Sequence, residues 1–136
     1  MAGFTFAYRL SGGAPTIQDW LFKDTETLTK GDIVNLETGE VDLGATNDTD
    51  FVGAVLETLS GTDSTTRINV ITDNDAVYSV TDASARLPGA TLDIAGTTGA
   101  MTIASSSNAD FIVVAESTAT EPTLVRIQHG EHWLAP

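Results

Sequence analysis

A chain of 136 residues without cysteine is long enough to bury one core unaided, and it excludes disulfides and thiolate metal sites. Six Lys and Arg against nineteen Asp and Glu leave a formal charge of −13, which argues against a nucleic acid or an anionic membrane surface as partner. Thr, Val, Ile, Ala and Gly are abundant and apolar residues recur with period two, so the chain reads as all-β. No apolar run approaches the roughly eighteen residues of a membrane-spanning helix, and the first residues lack the basic start and apolar core of a secretory signal.

Residues 1–13 place Phe4, Phe6 and Tyr8 or Leu10 on one side of an extended chain that ends in Ser11-Gly12-Gly13. Such an aromatic stripe needs a covering surface. The segment is therefore either an edge strand on its own core or an arm packed on a neighbour, and residues 14–136 form a single β domain. Thr16 to Phe22 fits one or two helical turns or an extended piece containing Trp20, and Asp24 to Thr29 reads as turn material. Lys30-Gly31-Asp32 is a turn feeding a strand with Ile33, Val34 and Leu36. Glu40 to Leu43 is a short strand, and Phe51 to Leu56 another, with Gly53 inside it. A glycine there marks a bulge or a close backbone approach.

Leu59 to Thr66 reads as a loop, and Arg67 to Val80 as a hairpin turning at Thr72 to Asp75. Pro88-Gly89 suits the centre of a type II turn. Ala90 to Ile94 and Ala100 to Ile103 run out and back around Gly96-Thr97-Thr98-Gly99. Phe111 to Ala115 is the most apolar strand and is expected at the centre, and Leu124 to Ile127 is the last. These eight to ten short strands suit a small β-barrel or a β-tulip-like sandwich with an extended N-terminal arm.

Few residues carry chemistry. His129-Gly130-Glu131-His132 resembles a metal set, but Gly130 argues against helical display and the chain has no third histidine. His132 and Trp133 are better read as tying the C-terminus onto the domain or a neighbour. Asn47-Asp48-Thr49-Asp50 and Asp73-Asn74-Asp75 invite a calcium reading. Neither follows the twelve-residue EF-hand loop, and turns account for them better. G-x-S-x-G, H-E-x-x-H and a phosphate loop are all absent, so no enzyme, metal or cofactor is expected. An exposed aromatic flanked by Asp, Asn or Gln would suit a sugar, with Trp20, Tyr78 or Trp133 as platforms. Arg9, beside the aromatic stripe, is the arginine expected at an interface.

Lys30-Gly31-Asp32-Ile33-Val34, then Phe51-Val52-Gly53-Ala54-Val55 within Thr46 to Glu57, then the piece around Asn69-Val70, together resemble the small capsid decoration (cement, head-stabilising) proteins of tailed bacteriophages. The resemblance covers Leu28 to Val80. It implies a β body on the outer surface of a virion capsid, assembled in the host cytoplasm and bridging neighbouring major capsid protein subunits as a homotrimer. Gly3 to Ser11 would be the attachment arm. Phe4, Phe6, Tyr8, Arg9, Trp20, His132 and Trp133 are the expected interface residues, with no nucleic acid or membrane contact. The alternative is a glycan- or receptor-binding β-module of a phage fibre or other surface assembly.

Overall fold

The computed structural model describes residues 3–63, 65–105 and 108–134. Its strands are β1 (Phe4–Arg9), β2 (Ile17–Leu21), β3 (Glu26–Leu28), β4 (Ile33–Glu37), β5 (Glu40–Leu43), β6 (Phe51–Ala54), β7 (Leu59–Gly61), β8 (Arg67–Ile71), β9 (Ala76–Val80), β10 (Thr91–Ala95), β11 (Thr102–Ser105), β12 (Phe111–Val113) and β13 (Thr123–Ile127). A short 3₁₀ turn, η1 (His129–Glu131), follows. The ladders are antiparallel: a six-stranded sheet β1-β9-β13-β12-β10-β11, a three-stranded sheet β5-β4-β6, and the pairs β2-β8 and β3-β7.

The stretch from Lys30 to Thr58 is the septum of a sandwich. Ile33, Phe51 and Ala54 pack into one core with Phe4, Ile71, Tyr78, Leu92, Met101 and Phe111. Their immediate neighbours Val34, Val52 and Val55 pack into a second core with Phe22, Leu28, Val41, Ile68 and Val70. Both faces of β4 and β6 are thus covered, which is why these strands read as continuous apolar runs with only imperfect alternation. The large sheet covers one side of the septum, and β2-β8 with β3-β7 cover the other.

Glycine and turn chemistry set the corners. Thr38 and Gly39 both have positive φ, 47° and 84°, and close β4 onto β5 as a two-residue hairpin with Glu37 opposite Glu40. The Lys30–Asp32 turn is a junction. Phe4 N–H donates to the Gly31 carbonyl at 2.8 Å, Gly31 N–H to the Val55 carbonyl at 3.0 Å, and Val55 N–H to the Asp32 carbonyl at 2.9 Å. The buried Asp32 carboxylate accepts Thr29 N–H at 2.8 Å and Gly99 N–H at 3.0 Å, tying the β10–β11 loop to the septum. Gly89, at φ 89°, with Ala90 N–H donating to the Leu87 carbonyl at 3.2 Å, forms the type II turn expected at Pro88-Gly89.

Several local expectations differ. Arg67 to Val80 is not a hairpin: β8 pairs with β2, whereas β9 pairs with β1 and β13. The Thr72–Asp75 turn carries the chain from one layer to the other. Asp24–Thr29 and Leu59–Thr66, both read as loop, contain β3 and β7, which pair with each other across 33 residues at Thr27 and Ser60. The 16–22 segment is extended as β2, with Trp20 opposite Ile68. Phe4–Arg9 is the edge strand of the large sheet, hydrogen-bonded along β9, and does not project from the domain.

Candidate functional site

The interface residues expected from sequence fall into two groups. The first surrounds the Thr72–Asp75 turn. The Asp75 carboxylate takes the Arg9 guanidinium at 2.9 Å, Ser11 N–H at 3.1 Å and the Ser11 hydroxyl. Asp73 accepts Thr16 N–H at 2.6 Å and lies 3.5 Å from Arg9 Nη2. Burial pushes the Asp75 carboxyl up, but the Ser11 and Arg9 hydrogen bonds with the Arg9 charge outweigh it and hold the group at about 2. Arg9 is therefore spent within the chain, pinning the end of β1 and the start of β2 to the same turn.

That pinning fixes an exposed apolar rim. Along β1 the stripe grades outward: Phe4 is buried, stacked at 5.1 Å on Phe111, Phe6 is half-buried, and Tyr8 is 42% exposed beyond a bulge at Ala7. Leu10 and Ile17, on either side of the turn, are 51% and 48% exposed. Sequence reasoning singled out Tyr8 but missed Ile17, since nothing local says which face of β2 is outward. Beside β1 a groove of about 490 Å³ is lined by Thr5, Phe6, Lys30, Ala54, Leu56 and Ile71.

The second group seals the opposite layer. His132 is buried, Nε2 donating to the Val52 carbonyl at 3.0 Å while Nδ1 accepts Leu134 N–H at 3.1 Å. Burial lowers its pKa to about 4, keeping the imidazole neutral. Trp133 N–H donates to the Phe51 carbonyl at 3.0 Å, and its indole meets Trp20 edge to face at 5.1 Å. The tail thus closes its own domain. With both ring nitrogens of His132 engaged, the 129–132 cluster is not gathered as a metal set. Among the described residues no three His, Asp or Glu side chains already stand together at metal-ligand spacing. Of the sugar platforms considered from sequence, Tyr78 is fully buried, whereas Trp20, edge to face with Trp133, is half-buried and lines an open pocket with Gln18, Asp19 and Asn69, the polar flank expected of such a platform.

A third feature was not assembled by sequence. Asn47, Asp48 and Thr49, Asn108 and Asp110, and Glu131 line a small acidic pocket of about 130 Å³. Three segments distant in the chain meet there.

No protein-family model matches the sequence, and no curated protein matches it. Among solved structures, the N base of head fiber gp8.5 of bacteriophage phi29 is similar, with a TM-score of 0.53 and 13% sequence identity, covering 85% of this chain and 98% of that one. At that identity the likeness is one of fold.

Proposed function

We propose that this chain is a structural, non-enzymatic module of a phage particle surface, of the fibre-base kind, seated on the major capsid protein as a homotrimer. The observation that carries the reading is the fold likeness to the phi29 head fiber N base, which takes in nearly all of that chain. It supports a fibre or surface-assembly module over a clamp bridging neighbouring capsid subunits, the reading implied by the decoration-protein resemblance. The strong acidity agrees with a role on the outside of a particle, away from packaged nucleic acid.

The rim of Tyr8, Leu10 and Ile17 is the seat we assign to the contact. It is apolar, exposed and held rigid by the Arg9–Asp73–Asp75 knot, so docking would cost little ordering entropy. Mixed with heads stripped of their surface proteins, the chain is expected to co-sediment with them. Failure to pellet at saturating protein would overturn the proposal. Replacing Leu10 and Ile17 together by Asp should lower the captured fraction by about tenfold while leaving the melting temperature unchanged. Equal capture of this variant would move the contact elsewhere on the surface. Light scattering of the free chain and of its complex reads the trimer directly.

A further inference from the structure

We propose that the acidic pocket between the 47–49 turn, the 108–110 loop and η1 is a calcium site, with Asp110 as the anchoring ligand and Asp48 and Glu131 as the carboxylates drawn in from its rim. Asp110 is fully buried: Oδ2 accepts Ile94 N–H at 3.0 Å, and Oδ1, equally shielded, has no partner at hydrogen-bonding geometry, the nearby Thr46 hydroxyl donating instead to Asp93 at 3.3 Å. Leaving a charged acceptor buried and unmatched is costly, and a cation in the pocket it lines is the natural counterpart.

The neighbouring carboxylate does not compete for that role. Asp93 is used for construction, accepting Asn108 N–H and Ala109 N–H, each at 2.9 Å, and the Thr46 hydroxyl at 3.3 Å. It thereby folds the 108–110 loop against the 46–48 turn, a closure continued by Asn108 Nδ2 donating to Thr46 Oγ1 at 2.7 Å. Asp48 caps its own turn through Ala45 N–H at 2.8 Å and still lines the pocket.

The donor set is all oxygen: three carboxylates, two side-chain amides and the Thr49 hydroxyl. Hard oxygen donors with flexible geometry suit calcium better than zinc, which prefers nitrogen and sulfur, or magnesium, which demands a near-ideal octahedron. The carboxylates stand at the spacing of an open pocket, so binding includes their closure onto the ion, with amide and hydroxyl oxygens completing the shell.

The test is calorimetric and thermal titration of the EDTA-treated chain with calcium chloride, against magnesium chloride and against sodium chloride at equal ionic strength. Calcium is expected to bind one per chain, with a Kd of roughly 10⁻⁴–10⁻³ M, and to raise the melting temperature where magnesium and sodium do not. Asp110→Asn, which retains an acceptor for Ile94 N–H, should raise the melting temperature of the cation-free chain and abolish the calcium shift. Glu131→Gln, on the pocket rim, should weaken binding by about tenfold without altering the cation-free chain. Absence of a calcium-specific shift in the wild-type chain would overturn the proposal, as would an undiminished shift in Asp110→Asn.

Discussion

Replacing Gly53 by Ala is expected to cost about 3 kcal/mol or more of stability, and on the order of 10 °C in melting temperature for a domain of this size. A Cβ at this position would lie 2.0 Å from the Ile71 carbonyl oxygen and 2.6 Å from the Tyr78 hydroxyl. Neither neighbour can yield cheaply. Ile71 ends β8, which is held by β2 on its far side and bridged to the septum at Val55–Val70. The Tyr78 hydroxyl is buried and accepts Ala54 N–H at 3.3 Å. The close approach lets two layers meet through backbone where a side chain would prop them apart.

Gly39→Ala is the matched control. Its Cβ would meet nothing within 4 Å, but its φ of 84° is unfavourable for alanine, so a loss of about 1 kcal/mol is expected from conformation alone. Chemical denaturation of both variants separates the two causes. If Gly53→Ala loses no more than Gly39→Ala, the close approach is not what requires glycine at 53.

Gly53 also shows what was readable in the sequence. A glycine inside an otherwise apolar strand pointed to a bulge or a near backbone, and both are present: the register of β4 against β6 slips between Val34 and Asn35, and β8 crowds the other side. The all-β class, the β10–β11 hairpin and the interior place of β12 were legible for the same reason, since period-two patterns and turn residues are local. Partner choice was not. Ile68 and Val70 alternate identically whether β8 pairs with β9 or with β2, and the acidic turn between them looked like a hairpin loop. Asp73 and Asp75 in fact spend their oxygens on Thr16, Ser11 and Arg9, chain segments some sixty residues away. β3 and β7 were hidden because a three-residue strand has too few positions to show a period.

The site was less legible than the fold. The aromatic stripe was visible, but its grading from buried Phe4 to exposed Tyr8 depends on where the large sheet ends. Trp20 and Trp133 are far apart in sequence and touch only because β2 and the tail cover the same core. The acidic pocket draws on three segments with no spacing rule between them, so its turn at 47–50 read only as a turn.

The pH dependence of stability is expected to contain two opposed slopes, from Glu26 and His132, beside that of Asp110, which burial raises to about 6 and which acts in the same sense as Glu26, and single substitutions should separate the first two. Burial first, and then the adjacent Asp42 carboxylate, raise Glu26 from 4.5 to about 7. Between these values the folded chain holds a proton that the unfolded chain has released, so this group's contribution falls as pH rises from about 4.5 to 7. His132 does the reverse. Its value drops from 6.5 to about 4, so in that interval the unfolded chain holds the proton and stability is lost as pH falls. In EDTA-containing buffer these two slopes overlap and oppose each other, with Asp110 adding to the Glu26 side below about pH 6. Glu26→Gln keeps the side-chain size and removes the charge beside Asp42. Discounted for partial solvent exposure, it should gain about 1–2 kcal/mol at pH 8 and lose that advantage by pH 4.5, uncovering the acid lability of His132. His132→Gln retains a donor for the Val52 carbonyl but not the packing of the ring. It should be weaker than wild type at pH 8, yet escape the loss of about 2–3 kcal/mol that His132 causes between pH 6.5 and 4. Denaturation midpoints measured across pH 4–8 decide the matter: if the gain in Glu26→Gln is the same at both ends of the range, the carboxyl is not raised and the balance does not exist.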